Sequence, residues 1–392
     1  MRIGVDACCW SNRRGFGRFT RELLDAVVAN DKKNEYVFFV DQDTAQHDGI
    51  PQAVTTIVAQ TQASSMEAAS AEGRRSLRDL WALSRQVLRH DLDLFFFPAV
   101  YSYFPIFNRT KIIVTLHDVI ADHHPELIFP NKKLQLFWKM KQNLAIRQAH
   151  VILTVSDYSK KQIVQYFDLA PSRVKVISEA ARPVFSVLAP SVAMDGVLRR
   201  FGLDGETRFL LYVGGISPHK NLKTLVSAYH QLISENTFAD VKLVLVGDYQ
   251  NDSFYSDYPS LKMHVDQLDL QDKVVFTGYI EDQDLAYLYN SASMLVFPSL
   301  EEGFGLPAIE AMACGTPVAA SNRGSLPEIV GEAGRFFDPA KPLAIADVLR
   351  QVLSDKLLRE EMGKTGLIRA KQFMWDRAAK ETLEIFEELM EH

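Results

Sequence analysis

Cysteine is scarce in this chain of 392 residues, with only Cys8, Cys9 and Cys314 present. Adjacent Cys8 and Cys9 cannot easily bridge each other, no disulfide framework can be built, and no metal-ligand spacing exists. A reducing, cytosolic compartment is the simple expectation. Long apolar runs are also lacking, since none approaches the roughly 18 residues that a bilayer crossing needs. The start, "MRIGVDACCW", has no basic region followed by an apolar stretch, so it reads as a strand rather than a signal peptide. Positive charge is not in excess either. A formal net charge of −6 gives no overall field to recruit nucleic acid, so anion binding must come from local clusters.

What is abundant is the short apolar run. "RIGVDA" (2–7), "EYVFFV" (35–40), "TTIVA" (55–59), "DLFFF" (93–97), "IIVTL" (112–116), "VILTV" (151–155) and "VKVIS" (174–178) punctuate the first half. "FLLYVG" (209–214), "VKLVLVG" (241–247), "VVFTG" (274–278), "MLVFP" (294–298) and "PVAAS" (317–321) punctuate the second. Such near-continuous β-branched and aromatic runs belong to strands covered on both faces. Helical stretches between them, such as "NLKTLVSAYHQLIS" (221–234), fit parallel crossovers.

The pattern breaks near 181–207. It predicts an N-terminal domain over 1–184, a linker over 185–206 and a C-terminal domain over 207–374. The terminal pattern 375–392 is a helix expected to pack back on the first domain. Small polar residues at 60–75 predict a mobile loop. Two such sheets joined once imply a cleft, with ligands at the strands' carboxyl ends.

Four stretches carry candidate chemistry. In "SLEEGFGLPAIEAMACGTPVAAS", Pro307 suits a first helical position and Gly315 a helix end. Glu310 then lies on the helix and Glu302 on the loop before it. Gly303 and Gly305 allow close backbone approach where an anion is favoured. Either carboxylate alone reads equally as a solvent-facing or dipole-facing group. Together with the glycines they suit polyhydroxyl groups flanking a phosphate.

In "LYVGGISPHKNLKTL" a strand ends at Gly214 and Gly215, and Lys220 stands at the next helix entrance, where a point charge can meet a diphosphate. In "WSNRRGFGRFTRELL", Gly15, Phe16 and Gly17 open the first helix, but Thr20 replaces the third glycine of a dinucleotide fingerprint, which disfavours a nicotinamide cofactor. Arg13, Arg14 and Arg18 there read as a solvated cluster or an anion clamp. In "TLHDVIADHHPEL", His117 follows a buried strand and can donate to a hydroxyl or handle a proton. His123 and His124 lack fixed metal-ligand spacing, and no D-x-D pair at a strand end has a convincing setting, so no metal is expected.

"YVGGISPHKN", "VVFTGYI", "LVFPSLEEGFGLPAIEAMACGTPVAAS" and "LPEIVGEAG", with "GFGRFTREL", "TLHD" and "TVSDYSKKQI", resemble retaining, nucleotide-sugar-dependent glycosyltransferases of family 4. The resemblance covers essentially the whole chain. It implies an α/β GT-B fold, two Rossmann-like parallel-sheet domains facing across a cleft, and it makes Glu302 to Glu310 the family's E-x7-E motif. It further implies that Glu302 holds donor-sugar hydroxyls, with backbone support from Gly303, Phe304, Gly305 and Leu306, and that Glu310 accepts from the nucleotide ribose. Lys220, beside Gly215, would neutralise the diphosphate. Gly15, Phe16 and Gly17 would approach it from the other domain, His117 would contact the transferring sugar, and the base would rest near Gly278, Tyr279 and Ile280.

Many relatives place an arginine just after the first glycine of the phosphate segment, where this chain has Gly215, and others carry one before the lysine, where this chain has His219. Lys220 is therefore expected to be the main cation of this loop.

The implied reaction is metal-independent, front-face hexosyl transfer from a UDP-sugar, or next a GDP-sugar, to a hydroxyl acceptor with retention. No cofactor beyond the donor substrate is implied. The acceptor stays open among glycan, lipid-linked sugar and small molecule. Competing readings are a GT-B epimerase or phosphorylase and a catalytically idle nucleotide-binding subunit. "FFFPAVYSYFPIF" (95–107) reads equally as an acceptor groove or as core with an aromatic loop. "NKKLQLFWKMKQNLAIRQA" (131–149) reads first as a packed helix with solvated lysines and second as a weak peripheral contact with an anionic membrane, on its cytoplasmic face.

Overall fold

A computed structural model describes residues 1–47, 49–61, 76–129, 131–249 and 256–391. The loop expected over 60–75 falls, from residue 62 onward, outside the described residues. The chain forms two compact units, Met1–Glu179 with Met374–His392, and Ala180–Phe373.

In the first unit, β1 (Arg2–Asp6), β2 (Glu35–Asp41), β3 (Thr55–Ala59), β4 (Leu94–Phe97), β5 (Lys111–Thr115), β6 (Val151–Thr154) and β7 (Val174–Val176) form one parallel sheet. Their order is β3-β2-β1-β4-β5-β6-β7. Strands such as Leu94–Phe97 are buried along their whole length because helices cover both faces. On one face Phe39, Phe95, Phe97 and Val114 pack with Leu83 and Val87 of helix Leu77–Val87 and with Ala145 and Ile146 of helix Lys132–Gln148. Helix Trp375–Glu391 lies in this unit beside helix Gly15–Asn30, and its Phe386 meets Phe96 of β4 edge to face at 5.5 Å.

The second unit holds β8 (Phe209–Val213), β9 (Lys242–Val246), β10 (Val274–Gly278), β11 (Met294–Phe297), β12 (Val318–Ser321) and β13 (Gly334–Phe337), all parallel, in the order β10-β9-β8-β11-β12-β13. β13 escapes the sequence reading because "GRFF" is four residues long and opens on glycine. Gly334 is needed there, since a Cβ would sit 2.4 Å from Val330 Cγ1.

The segment 185–206 differs from the linker it was expected to be. Ser191 caps a helix over Val192–Arg200 by accepting from Met194 N at 3.2 Å, and Met194, Val197 and Leu198 are buried. Leu188 N is tied to Asn290 at 2.8 Å, and Phe185 packs on Tyr289. The segment therefore belongs to the second unit. Its prolines and small residues hide a short amphipathic helix from a reading that looks for strands.

In each sheet the strand order reverses once, between β1 and β4 and between β8 and β11. Carboxyl ends at such a reversal leave a crevice outside the sheet, which is where open α/β sheets bind ligands.

Candidate functional site

The reversal between β8 and β11 is where the second unit gathers its charged candidates. β8 runs into Gly214, whose carbonyl would lie 2.2 Å from a Cβ at Gly247, so Gly247 must stay a glycine for the two backbones to pass. The Gly215 carbonyl accepts from the Tyr212 hydroxyl at 2.8 Å. A single helical turn, Pro218–Lys220, follows and ends on Asn221 in the left-handed region at φ 60°. Asn221 tolerates this conformation because its amide donates to the Pro298 and Pro339 carbonyls at 3.1 and 2.7 Å. Leu300 N also donates to the His219 carbonyl at 2.9 Å. The two loops are thereby locked together.

That lock brings Lys220 to Glu302 across 82 positions of sequence. Lys220 Nζ lies 2.6 Å from Glu302 Oε1, with side-chain exposures of 18% and 9%. The Ser299 hydroxyl donates to the same oxygen at 2.6 Å. The ammonium also stands 6.0 Å from the Phe297 ring centroid. Burial, with the Glu302 charge added, pushes the Tyr212 phenol well above its ordinary range.

The Glu302 backbone is cradled as well. Its carbonyl accepts from Ser325 N at 3.2 Å, and Gly324, at φ +67°, leaves only 2.7 Å between a hypothetical Cβ and Glu302 N. The Ser325 hydroxyl donates to the Phe304 carbonyl at 2.7 Å, and the Phe304 ring is buried against Phe373. Gly305, at φ +106°, starts helix Leu306–Ala313, with Pro307 as its second residue, one place later than expected and still within the first turn. Glu310 on that helix is only 1% exposed and accepts from the Tyr289 hydroxyl at 2.9 Å. Its charge and burial push the Cys314 thiol up to about 12, burial being the larger cause.

Gly278 ends β10, and Tyr279 and Ile280 follow it. Gly278 takes φ +75°, and its carbonyl accepts from Gly247 N at 3.2 Å, beside the β8 end. Ile280 is buried and Tyr279 is exposed.

The remaining candidates lie in the first unit. Gly15 is the first residue of its helix, and a Cβ there would meet nothing within 4 Å. Gly17 differs, because a Cβ would lie 2.1 Å from the Asn12 carbonyl oxygen. Its glycine is demanded by that packing, whatever else it does. Phe16 stacks on Tyr101 at 4.5 Å. His117, two residues beyond β5, is buried, with Nε2 3.2 Å from the Pro98 carbonyl and Nδ1 3.6 Å from Glu179 Oε1. Among the described residues no three His, Cys, Asp or Glu side chains stand together as a metal group, and the His123 ring packs on Tyr166.

Sequence reasoning passed over Ser299, Ser325, Tyr289 and Glu179. Ser299 had a signal, the Ser-x-x-Glu spacing to Glu302. The others come from elements distant in sequence and had none.

Among the described residues no helix is long and apolar enough to cross a membrane. Residues 14–181 match the "Glycosyltransferase Family 4" profile, and residues 197–368 match "Glycosyl transferases group 1". The chain is 33% identical to O-antigen chain mannosyltransferase B of Escherichia coli over 278 residues, 70% of each protein. It is 31% identical to the serotype-specific mannosyltransferase WbdA of Escherichia coli over 284 residues, 72% of this chain and 34% of that one. Among solved structures, sucrose-phosphate synthase from Thermosynechococcus elongatus superposes with a TM-score of 0.77 at 20% identity, covering 99% of both chains. Anabaena HepE in complex with UDP and glucose gives 0.73 at 20% identity, covering 98% of this chain and 99% of that one. With both of its halves matched in this way, the chain belongs to the family 4 glycosyltransferases and has the GT-B fold.

Proposed function

We propose that the chain transfers a hexosyl group from a nucleotide-diphosphate sugar to a hydroxyl acceptor, with retention and without a metal. The observation that carries the reading is the Lys220–Glu302–Ser299 constellation at the carboxyl ends of β8 and β11. Lys220 has three N–H donors, so it can serve Glu302 and a phosphate oxygen together. Both described bonds to Glu302 fall on Oε1, which leaves Oε2 to take a sugar hydroxyl. Backbone N–H groups at the start of helix Leu306–Ala313 would add to the diphosphate site, and Glu310 would take the ribose.

In the transfer, the bond from the anomeric carbon to the phosphate oxygen breaks and the acceptor oxygen bonds to that carbon from the same face. The acceptor's proton passes to the departing phosphate, whose charge Lys220 and the N–H groups stabilise. A glycosidase-type pair needs carboxylates flanking one carbon, roughly 5–9.5 Å apart. Here Glu302 is bonded to Lys220 and Ser299 and Glu310 to Tyr289, which supports binding roles for both.

The test is incubation with UDP-linked and GDP-linked glucose and mannose, with and without glycan acceptors. Acceptor-dependent release of nucleotide supports the transferase. Phosphate-dependent release marks a phosphorylase, interconversion of the donor an epimerase, and binding without turnover an idle subunit.

A peripheral membrane contact in the cytoplasm is the second part of the proposal. The exposed face of helix Lys132–Gln148 is apolar, with Leu136 61%, Phe137 40%, Met140 64% and Leu144 40% exposed. The helix has no acidic residue, and Lys132, Lys133 and Arg147 are exposed around that face. Lys141 is turned inward to the Tyr101 carbonyl. Lys141 thus differs from the solvated lysine expected there, while Lys132 and Lys133 are exposed as expected. Each lysine near an anionic surface adds about 1 kcal/mol, and the apolar side chains add burial. The protein should sediment with anionic vesicles at low salt and less at high salt, and Leu136→Asp with Met140→Asp should stay in the supernatant. Equal sedimentation of parent and variant would refute the contact.

A further inference from the structure

Four adjacent strands of the first unit converge on His117. Pro98 follows β4, His117 follows β5, Thr154 ends β6 and Glu179 lies three residues beyond β7. The Thr154 hydroxyl donates to the His117 carbonyl at 3.4 Å, and the Pro98 carbonyl faces Nε2 at 3.2 Å. A carbonyl oxygen can only accept, so Nε2 carries the hydrogen. Phe19 meets the ring edge to face at 4.8 Å. Glu179 closes the remaining side, with Oε1 3.6 Å from Nδ1. That separation is longer than a hydrogen bond, and the pair is ionic only while the ring is protonated.

Glu179 is 5% exposed, and among the described residues the His117 ring is the only ionisable side chain within ion-pair distance of it. A buried carboxylate facing one imidazole is a poor way to stabilise a fold, because an apolar side chain of similar volume would avoid the desolvation. We infer that Glu179 is a positioning residue for sugar transfer, fixing the plane and the Nδ1 side of His117 and offsetting positive charge on that ring. The inference rests on the reading that His117 contacts the transferring sugar.

A double-mutant cycle tests it with H117A, E179A and the double variant, measuring kcat, donor KM, free UDP binding and thermal unfolding. H117A should lower kcat by about a hundredfold or more. E179A should lower it by about tenfold or more, with donor KM and free UDP affinity within about threefold of the parent. The double variant should be no slower than H117A alone. An E179A loss that multiplies onto that of H117A, or an E179A kcat equal to the parent, overturns the role of Glu179 and leaves that of His117 intact. Full activity of H117A overturns both. Should E179A fail to fold, E179Q replaces it in the cycle, and failure of both to fold assigns Glu179 to stability and overturns the inference.

Discussion

Glu302→Gln is expected to lower transfer from the intact donor by about 100–1,000-fold, the usual cost of one preorganised polar group at a developing charge. Free nucleoside diphosphate should bind this variant at least as tightly as the parent. The asymmetry follows from the ion pair. Glu302 holds the Lys220 ammonium at 2.6 Å, so the carboxylate's charge offsets part of the ammonium's field at a phosphate bound beside it. An amide accepts from Lys220 without its charge, which leaves more of the ammonium's field for the diphosphate, while the ionised acceptor for a sugar hydroxyl is lost. Ser299 can still donate to the amide oxygen, so the loop should keep its shape. Turnover and UDP titration on the same preparation check this. Parallel loss of UDP affinity and turnover would place Glu302 on the nucleotide instead.

Lys220→Ala should act in the opposite sense. Free UDP should bind more weakly by about 1.5–3 kcal/mol, the value of a hydrogen bond to a charged group. Stability should also fall, because truncation leaves Glu302, with a side chain 9% exposed, as a buried carboxylate supported, among the described residues, by Ser299 alone. Breaking one half of a buried pair costs on the order of 3–5 kcal/mol. The residual exposure of Lys220 puts the expected loss toward the lower end. Adding Glu302→Gln to Lys220→Ala should recover much of the stability and none of the UDP affinity. UDP titration and denaturant melts on the three variants decide it. Unchanged UDP affinity in Lys220→Ala would remove Lys220 from the diphosphate.

The parallel sheets were legible because their strands are covered on both faces, so runs such as "LFFF" and "FLLYV" carry no polar alternation to confuse them. Helix ends were legible where local chemistry decides them, as at Pro307. Short, glycine-led β13 and the helix within 185–206 were not, since tertiary packing rather than pattern creates them.

The site divides in the same way. Lys220, Glu302 and Glu310 carry a local signal of glycines, a proline and charges at a strand end. Their partners do not. The left-handed Asn221 that aims Lys220, the Gly324 that admits the Glu302 backbone and the Glu179 beside His117 all depend on chain crossings that no short window contains. Gly17 shows the converse, since the close approach of Asn12 accounts for its glycine before any ligand is considered.

The most direct measurement of the central claim is NMR of the product from the acceptor-dependent reaction, reading the anomeric one-bond carbon–proton coupling against that of the donor. The account predicts the donor's own anomeric configuration in the product, with free nucleoside diphosphate released in equal amount. An inverted product would contradict it, because inversion needs a base on the far face of the sugar, and Lys220, Glu302 and Glu310 are assigned to diphosphate, sugar hydroxyl and ribose.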